Sequence, residues 1–264
     1  MNDVVIASSQ EDARAADAVE QHHAEMAGAL AMRTERLIGA ASRGVAESAE
    51  VARRDLVAWC EAELAPHALA EEETMYPAAH ATLEGRLLVD GMLAEHRVII
   101  GLVRELSSTA EPVRAAATAR ALQVLFESHL AKENDQLLPL LTASPEVSVA
   151  GILAGLHELL GDAADHQGAS ERSHLQTGRR DCSCGEVDPP GYPELDARAI
   201  PHAIRHATIF GALDALPAGG GLVLVVPHDP VRLLAQVEER TPGAFNVNYL
   251  ERGPKNWRLE LVRA

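Results

Sequence analysis

Apolar residues recur at helical spacing, four or seven positions apart, through Val19, Met26, Leu30 and Leu37, which gathers them on one helix face. Ser8 followed by Glu11 predicts a capping box ahead of this stripe, and the helix is expected to run to about Gly44. A second helix is predicted over roughly Ala46 to Ala79. Pro66, which has no backbone N–H to donate, predicts a kink or division just before His67. A third helix is expected to reach about Leu106 and to end at Ser107, Ser108 and Thr109. A fourth starts near Pro112, a favoured first-turn position, and stops by Pro139. Short connections predict an antiparallel, up-down four-helix bundle. Ser144 and Pro145 then open a fifth helix to about Leu160.

From Gly161 to Tyr192 the helical period is lost and the chain turns polar, with His166, His174, a Cys-Ser-Cys-Gly stretch and a Pro-Pro-Gly run, which is the composition of a linker. Beyond it the pattern shortens. Leu195 to Arg198 reads as a strand, Pro201 to Leu216 as a helix, Gly221 to Pro227 as a buried strand and Val231 to Arg240 as a helix. Two strands follow around Phe245 to Leu250 and Trp257 to Val262. The order β-α-β-α-β-β predicts a small α+β two-layer domain with both helices on one face of the sheet. The chain is thus expected to be mainly α, with a helical bundle over 1–165, a flexible linker over 166–192 and the α+β domain over 193–264.

Composition narrows the function classes. The formal net charge of -16 repels phosphate backbones and excludes nucleic acid as an expected partner. From Pro190 onward eight acidic and eight basic side chains balance, so the whole excess lies upstream. No apolar run has the length of a bilayer span, and the N-terminus lacks the layout of a secretion signal; the expectation is no membrane and a cytoplasmic location. Three cysteines, Cys60, Cys182 and Cys184, make no disulfide framework. Cys182 and Cys184 are read as solvated thiols before a redox or metal pair.

An internal repeat carries the chemistry. His67 to Pro77 reads HALAEEETMYP and His129 to Pro139 reads HLAKENDQLLP, each with Glu four residues after His and Pro ten residues after it. The first and third helices repeat as well: HHAEMAGAL, with His23, lies against EHRVIIGLV, with His96, and Gly28 falls on Gly101. Residues i and i+4 share one helix face, so an imidazole and a carboxylate at that spacing can reach a single ion. Two such pairs facing each other, with one more histidine from each remaining helix, supply three ligands per metal, and Glu71 and Glu133 are placed to bridge. Mixed imidazole and carboxylate ligation suits iron or manganese. A lone helical histidine is more often a core or surface residue. Here each polar group interrupts an apolar stripe, where burial without partners is costly and a shared ion removes the penalty. His22 competes with His23, but His23 shares the face of Met26 and Leu30. His80 is expected at the surface, and Glu63 is either an outer acceptor for the site or solvated.

At these residues, over roughly Val19 to Leu141, the sequence resembles the hemerythrin-like (HHE cation-binding) family. The resemblance implies a non-haem di-iron centre, bridged by oxo or hydroxo and by carboxylates, with His23, His67, Glu71, His96, His129 and Glu133 as ligands. One departure matters: oxygen-carrying hemerythrins have a second histidine one turn after the third-helix ligand, and this chain has Ile100. Six protein ligands argue against simple oxygen carriage. They favour reaction with dioxygen, peroxide or nitric oxide in oxidative or nitrosative stress, as an oxidoreductase that takes electrons from an unidentified donor. The alternatives are a sensor or adaptor of iron, oxygen or nitric oxide that signals through the C-terminal domain, and iron storage or iron-sulphur repair. The C-terminal stretches LDARAIPH, IRHATIFGALDAL and VVPHDP are similar to a module of unknown function with the fold of TusA-like sulphur carriers. Those carriers have Cys-Pro where Ile200-Pro201 stands, which argues against sulphur transfer. His202, His206 and His228 are expected as caps and surface residues before an anion or metal site.

Overall fold

A computed structural model of the chain describes residues 9–155, 191–202 and 204–264. The expected linker, up to residue 190 and with its two cysteines, lies outside the described residues.

Helix α1 spans Gln10–Ser42, and its cap is Ser9, whose hydroxyl accepts the Asp12 N–H at 3.0 Å; the capping box expected at Ser8 is thereby displaced by one residue. Helix α2 spans Ala46–Trp59 and passes through a π-helical turn, Cys60–Leu64, into α3, Ala65–Glu73, and then α4, Met75–His80. Helix α5, Leu83–Ser108, is capped by Thr82, and α6, Pro112–Lys132, by the Glu111 carboxylate, which accepts from the N–H groups of Val113 and Arg114. A second π-helical turn, Glu133–Leu137, leads into α7, Leu138–Ala143. Helix α8, expected from Ser144, occupies residues 149–155 of the described chain.

The two π turns correct the expected boundaries. Each lies just ahead of a proline, Pro66 or Pro139, whose missing N–H would orphan a carbonyl in a regular α-helix. The wider turn takes up the mismatch, with Ala65 N–H reaching Cys60 O and Leu138 N–H reaching Glu133 O. The fourth helix therefore continues beyond Pro139 instead of stopping there.

Apolar side chains form two layers in the bundle. One holds Met26, Leu30, Leu64, Ile99, Phe126 and Leu130; the other holds Val19, Met75, Val89, Met92, Leu137 and Leu141. His23, His67, Glu71, His96, His129 and Glu133 fall between these layers along their helices and are buried.

The C-terminal domain contains β1 (Glu194–Asp196), α9 (Arg205–Asp214), β2 (Gly221–Val226), α10 (Val231–Arg240), β3 (Phe245–Arg252) and β4 (Trp257–Arg263). The sheet order is β1-β2-β4-β3, with β1 parallel to β2 and the other pairs antiparallel. Leu222, Leu224, Leu259 and Leu261 share one core with Ile209 and Leu213 of α9 and Leu233 and Val237 of α10, as expected for helices on one face. The first helix starts at Arg205 instead of Pro201, leaving Ile200-Pro201 in the preceding loop.

Ala29 and Met32 of α1 belong to this C-terminal core. The backbones of α1 and α9 touch: a Cβ on Gly28 would lie 2.0 Å from Thr208 O, and one on Gly211 would lie 1.9 Å from Glu25 O. Only glycine fits either place. Arg240 adds a contact to Glu25 at 3.3 Å across the same junction. No helix among the described residues is long and apolar enough to cross a membrane.

Candidate metal centre

Four elements deliver the six side chains to one point: His23 from α1, His67 and Glu71 from α3, His96 from α5, and His129 with Glu133 from α6 and its π turn. Their ligand atoms form two overlapping groups, His23-His67-Glu71 and Glu71-His96-His129-Glu133, each within 4.8 Å. All six residues are at most 3% exposed.

Each carboxylate divides its oxygens between the two histidine pairs. Glu71 Oε1 lies 2.9 Å from His67 Nε2 and 3.2 Å from His23 Nε2, while its Oε2 lies 3.7 Å from His96 Nε2. Glu133 Oε1 lies 3.4 Å from His129 Nε2, and its Oε2 lies 3.8 Å from His23 Nε2. The Nε2 atoms of His96 and His129 face each other at 2.9 Å.

The outer ring nitrogens fix the orientation. His23 Nδ1 lies 2.7 Å from Asn134 Oδ1, His96 Nδ1 lies 2.8 Å from Glu72 Oε1, and His129 Nδ1 lies 2.9 Å from Glu95 Oε2. Donation of Nδ1–H to these oxygens leaves the Nε2 lone pair directed at the centre, the arrangement by which proteins present imidazole to a metal. Lys132 pairs with Glu95 and holds that carboxylate's position.

A cation suits the donor set. Buried Glu133 Oε2 has no hydrogen-bond partner, and His67 Nε2, although 2.9 Å from Glu71 Oε1, makes no hydrogen bond of good geometry; such atoms are costly when unsatisfied. Burial opposes charge on His23, but the hydrogen bond to Glu71 and the charges of Glu133 and Glu71 outweigh it and raise this imidazole to about 9. Burial likewise pushes the Glu71 carboxyl up, and the facing His67 and His23 overcome it, holding Glu71 well below the usual carboxylate range. Protonated histidine and carboxylate thus compensate one another's charge; a bound cation would take the protons' place against the carboxylates, with the imidazoles neutral.

Tyr76, from α4, was not singled out by spacing. Its hydroxyl donates to Glu133 Oε1 at 2.6 Å and lies 3.1 Å from both His96 Nε2 and His129 Nε2. Burial, followed by the charges of Glu133 and Glu71, raises the phenol far above its ordinary range, so it stays protonated. Glu72, Glu95 and Asn134 were missed for the same reason: each adjoins a motif residue and carries no periodic signal of its own.

The remaining candidates lie elsewhere. His22 is half-buried beside the cluster, its ring 5.1 Å from that of His67. Glu63 is exposed, and His80 pairs with Asp90 at 3.2 Å near the surface. Ile100 packs against the bundle core. Cys60 is a buried free thiol that burial pushes up to about 12. His202, His206 and His228 are exposed around a separate cleft of about 530 Å³ with Arg205 and Arg232, and they form no metal-ligand cluster among the described residues.

Comparison with known families matches residues 14–141 to the hemerythrin HHE cation binding domain and residues 194–263 to an uncharacterized conserved protein family, DUF2249. Comparisons with curated proteins and with solved structures gave no match.

Proposed function

We propose that this chain, a hemerythrin HHE cation-binding domain joined to a DUF2249 domain, holds two iron ions in its bundle and uses them on dioxygen, peroxide or nitric oxide. The observation that carries this reading is the division of Glu71 and Glu133, each giving one oxygen to each histidine pair. Carboxylates placed between two histidine pairs in this way would hold two ions together.

Bound iron would supply one-electron redox chemistry and coordination positions open to a small ligand. The protein's part is positioning and exclusion. His23, His67, His96 and His129 would hold the ions through Nε2 together with the carboxylates of Glu71 and Glu133, and the apolar layers on either side keep bulk water from the centre. Tyr76 holds its proton against Glu133 Oε1, where it can donate to an oxygen or nitrogen atom entering between His96 and His129. With Ile100 where oxygen carriers have a histidine, six protein ligands remain, which favours reaction over reversible carriage.

The chain, loaded anaerobically with ferrous iron and then exposed to air, should hold close to two ions and gain ligand-to-metal absorption in the near ultraviolet. The double variant Glu71→Ala/Glu133→Ala should lose both properties. Retention of both would refute the assignment.

A sensor or adaptor is the second reading, and the shared helix favours it: α1 carries His23 in one core and Ala29 and Met32 in the other. Rapid consumption of peroxide or nitric oxide supports the enzyme. Stoichiometric binding that alters protease accessibility of the C-terminal domain supports the sensor.

A further inference from the structure

The two halves of the repeat conserve the six central residues but differ behind them. With His67 to Pro77 set on His129 to Pro139, Glu72 aligns with Asn134; with His23 set on His96, His22 aligns with Glu95. The structure crosses these partners between the halves. His96 is backed by Glu72 and His129 by Glu95, so both rings of this pair donate to carboxylates. His23 is backed by the neutral amide of Asn134, and His67 Nδ1 has no hydrogen-bond partner, with the His22 ring beside it.

A carboxylate behind Nδ1–H makes the imidazole a stronger donor and adds negative charge near the metal; loss of such a partner typically weakens metal binding by about 10- to 100-fold. Lys132 shares the charge of Glu95, whereas Glu72 pairs with no other cation among the described residues. Tyr76 also lies on the His96-His129 side.

Access differs in the same sense. A cleft of about 360 Å³ between the domains is bordered by His23, Asn134 and Glu127 of the bundle and by Leu195, Ala199 and Ile204 of the C-terminal domain. It borders buried His23 and its partner Asn134 and none of the other five central residues, and its outer wall belongs to the other domain.

We infer that the two metal positions are unequal: the His96-His129 position retains its ion tightly, and the His23-His67 position is the weaker one and exchanges through the interdomain cleft. This rests on the dinuclear reading above. The C-terminal domain thereby acquires a role, that of limiting exchange at one metal.

The test uses the full-length chain loaded anaerobically with cobalt(II), its release to excess chelator followed by visible absorption and metal analysis. Wild type should release one ion in a fast phase and the second in a slow one. Glu72→Gln and Glu95→Gln should accelerate the slow phase by about 10- to 100-fold and leave the fast one in place. Asn134→Asp should slow the fast phase. Ala199→Trp, at an exposed wall residue of the C-terminal domain that is not itself a ligand, should also slow the fast phase while leaving the equilibrium affinity unchanged. Release of both ions at one rate from wild type would overturn the inference and leave the dinuclear reading standing, as would an effect of the two glutamate variants on the fast phase. Loading of fewer than two ions would overturn both.

Discussion

In the bundle, four histidines and two carboxylates converge at no more than 3% exposure, whereas in the C-terminal domain His202, His206 and His228 stand in solvent around an open cleft. Both regions show histidines near helices with the same nominal spacing; His202 and His206 are four apart, like His67 and Glu71. What separates them is the neighbourhood. The bundle group is enclosed by Met26, Leu30, Val19 and Met75 and has to find partners inside the protein, while the C-terminal group can use water. Burial makes the same spacing into a candidate site, because it removes the cheaper ways of satisfying the same atoms.

The sharpest challenge to that contrast is removal of metal. An ion present at 1,000 times its dissociation constant stabilises the folded chain by about 4 kcal/mol, so chelation of the iron-loaded protein should lower its melting temperature clearly. An unchanged transition would mean that the buried histidines are satisfied without a cation. Next in size is Gly28→Ala, which drives a methyl group into the backbone of α9. Overpacking of this kind typically destabilises by about 1–3 kcal/mol, and the variant should also free the C-terminal domain to limited proteolysis. Independent behaviour of the two regions would instead leave proteolysis as in wild type. Tyr76→Phe keeps the ring and removes the donor to Glu133, with an expected loss of about 1 kcal/mol in denaturant unfolding and full retention of bound iron. The smallest effect belongs to the triple change of His202, His206 and His228 to Ala, expected within about 0.5 kcal/mol per residue and without influence on metal content. A fall in metal content there would erase the distinction between the two regions.

The six central residues were legible because their signal is periodic: polar groups set in apolar stripes, repeated in register. Tyr76 was not, for a geometric reason. It lies five residues after Glu71, which in an unbroken helix would turn it to a different face. The break at Thr74, whose hydroxyl donates to Ala70 O, ends α3 and lets α4 deliver the phenol to the centre. The π turns are similar in kind: Pro66 and Pro139 signalled that a regular helix was impossible, but not that a wider turn would replace a stop. Gly28 and Gly101 look equivalent in the repeat, yet Gly101 faces open space while Gly28 seats Thr208. A contact between elements about 180 residues apart leaves no local pattern in either. The C-terminal strand and helix order was legible from short runs and turn residues, and its fusion to α1 was not.

That seating of α9 on α1 makes the two units poor candidates for modular exchange. A foreign bundle grafted in front of residues 194–264 would bring its own first helix, and unless that helix offered glycine at the crossing and small or flexible side chains at the places of Ala29 and Met32, the graft would find no berth. Lineages carrying this pairing should therefore inherit their first helix and their C-terminal unit together, as one heritable joint.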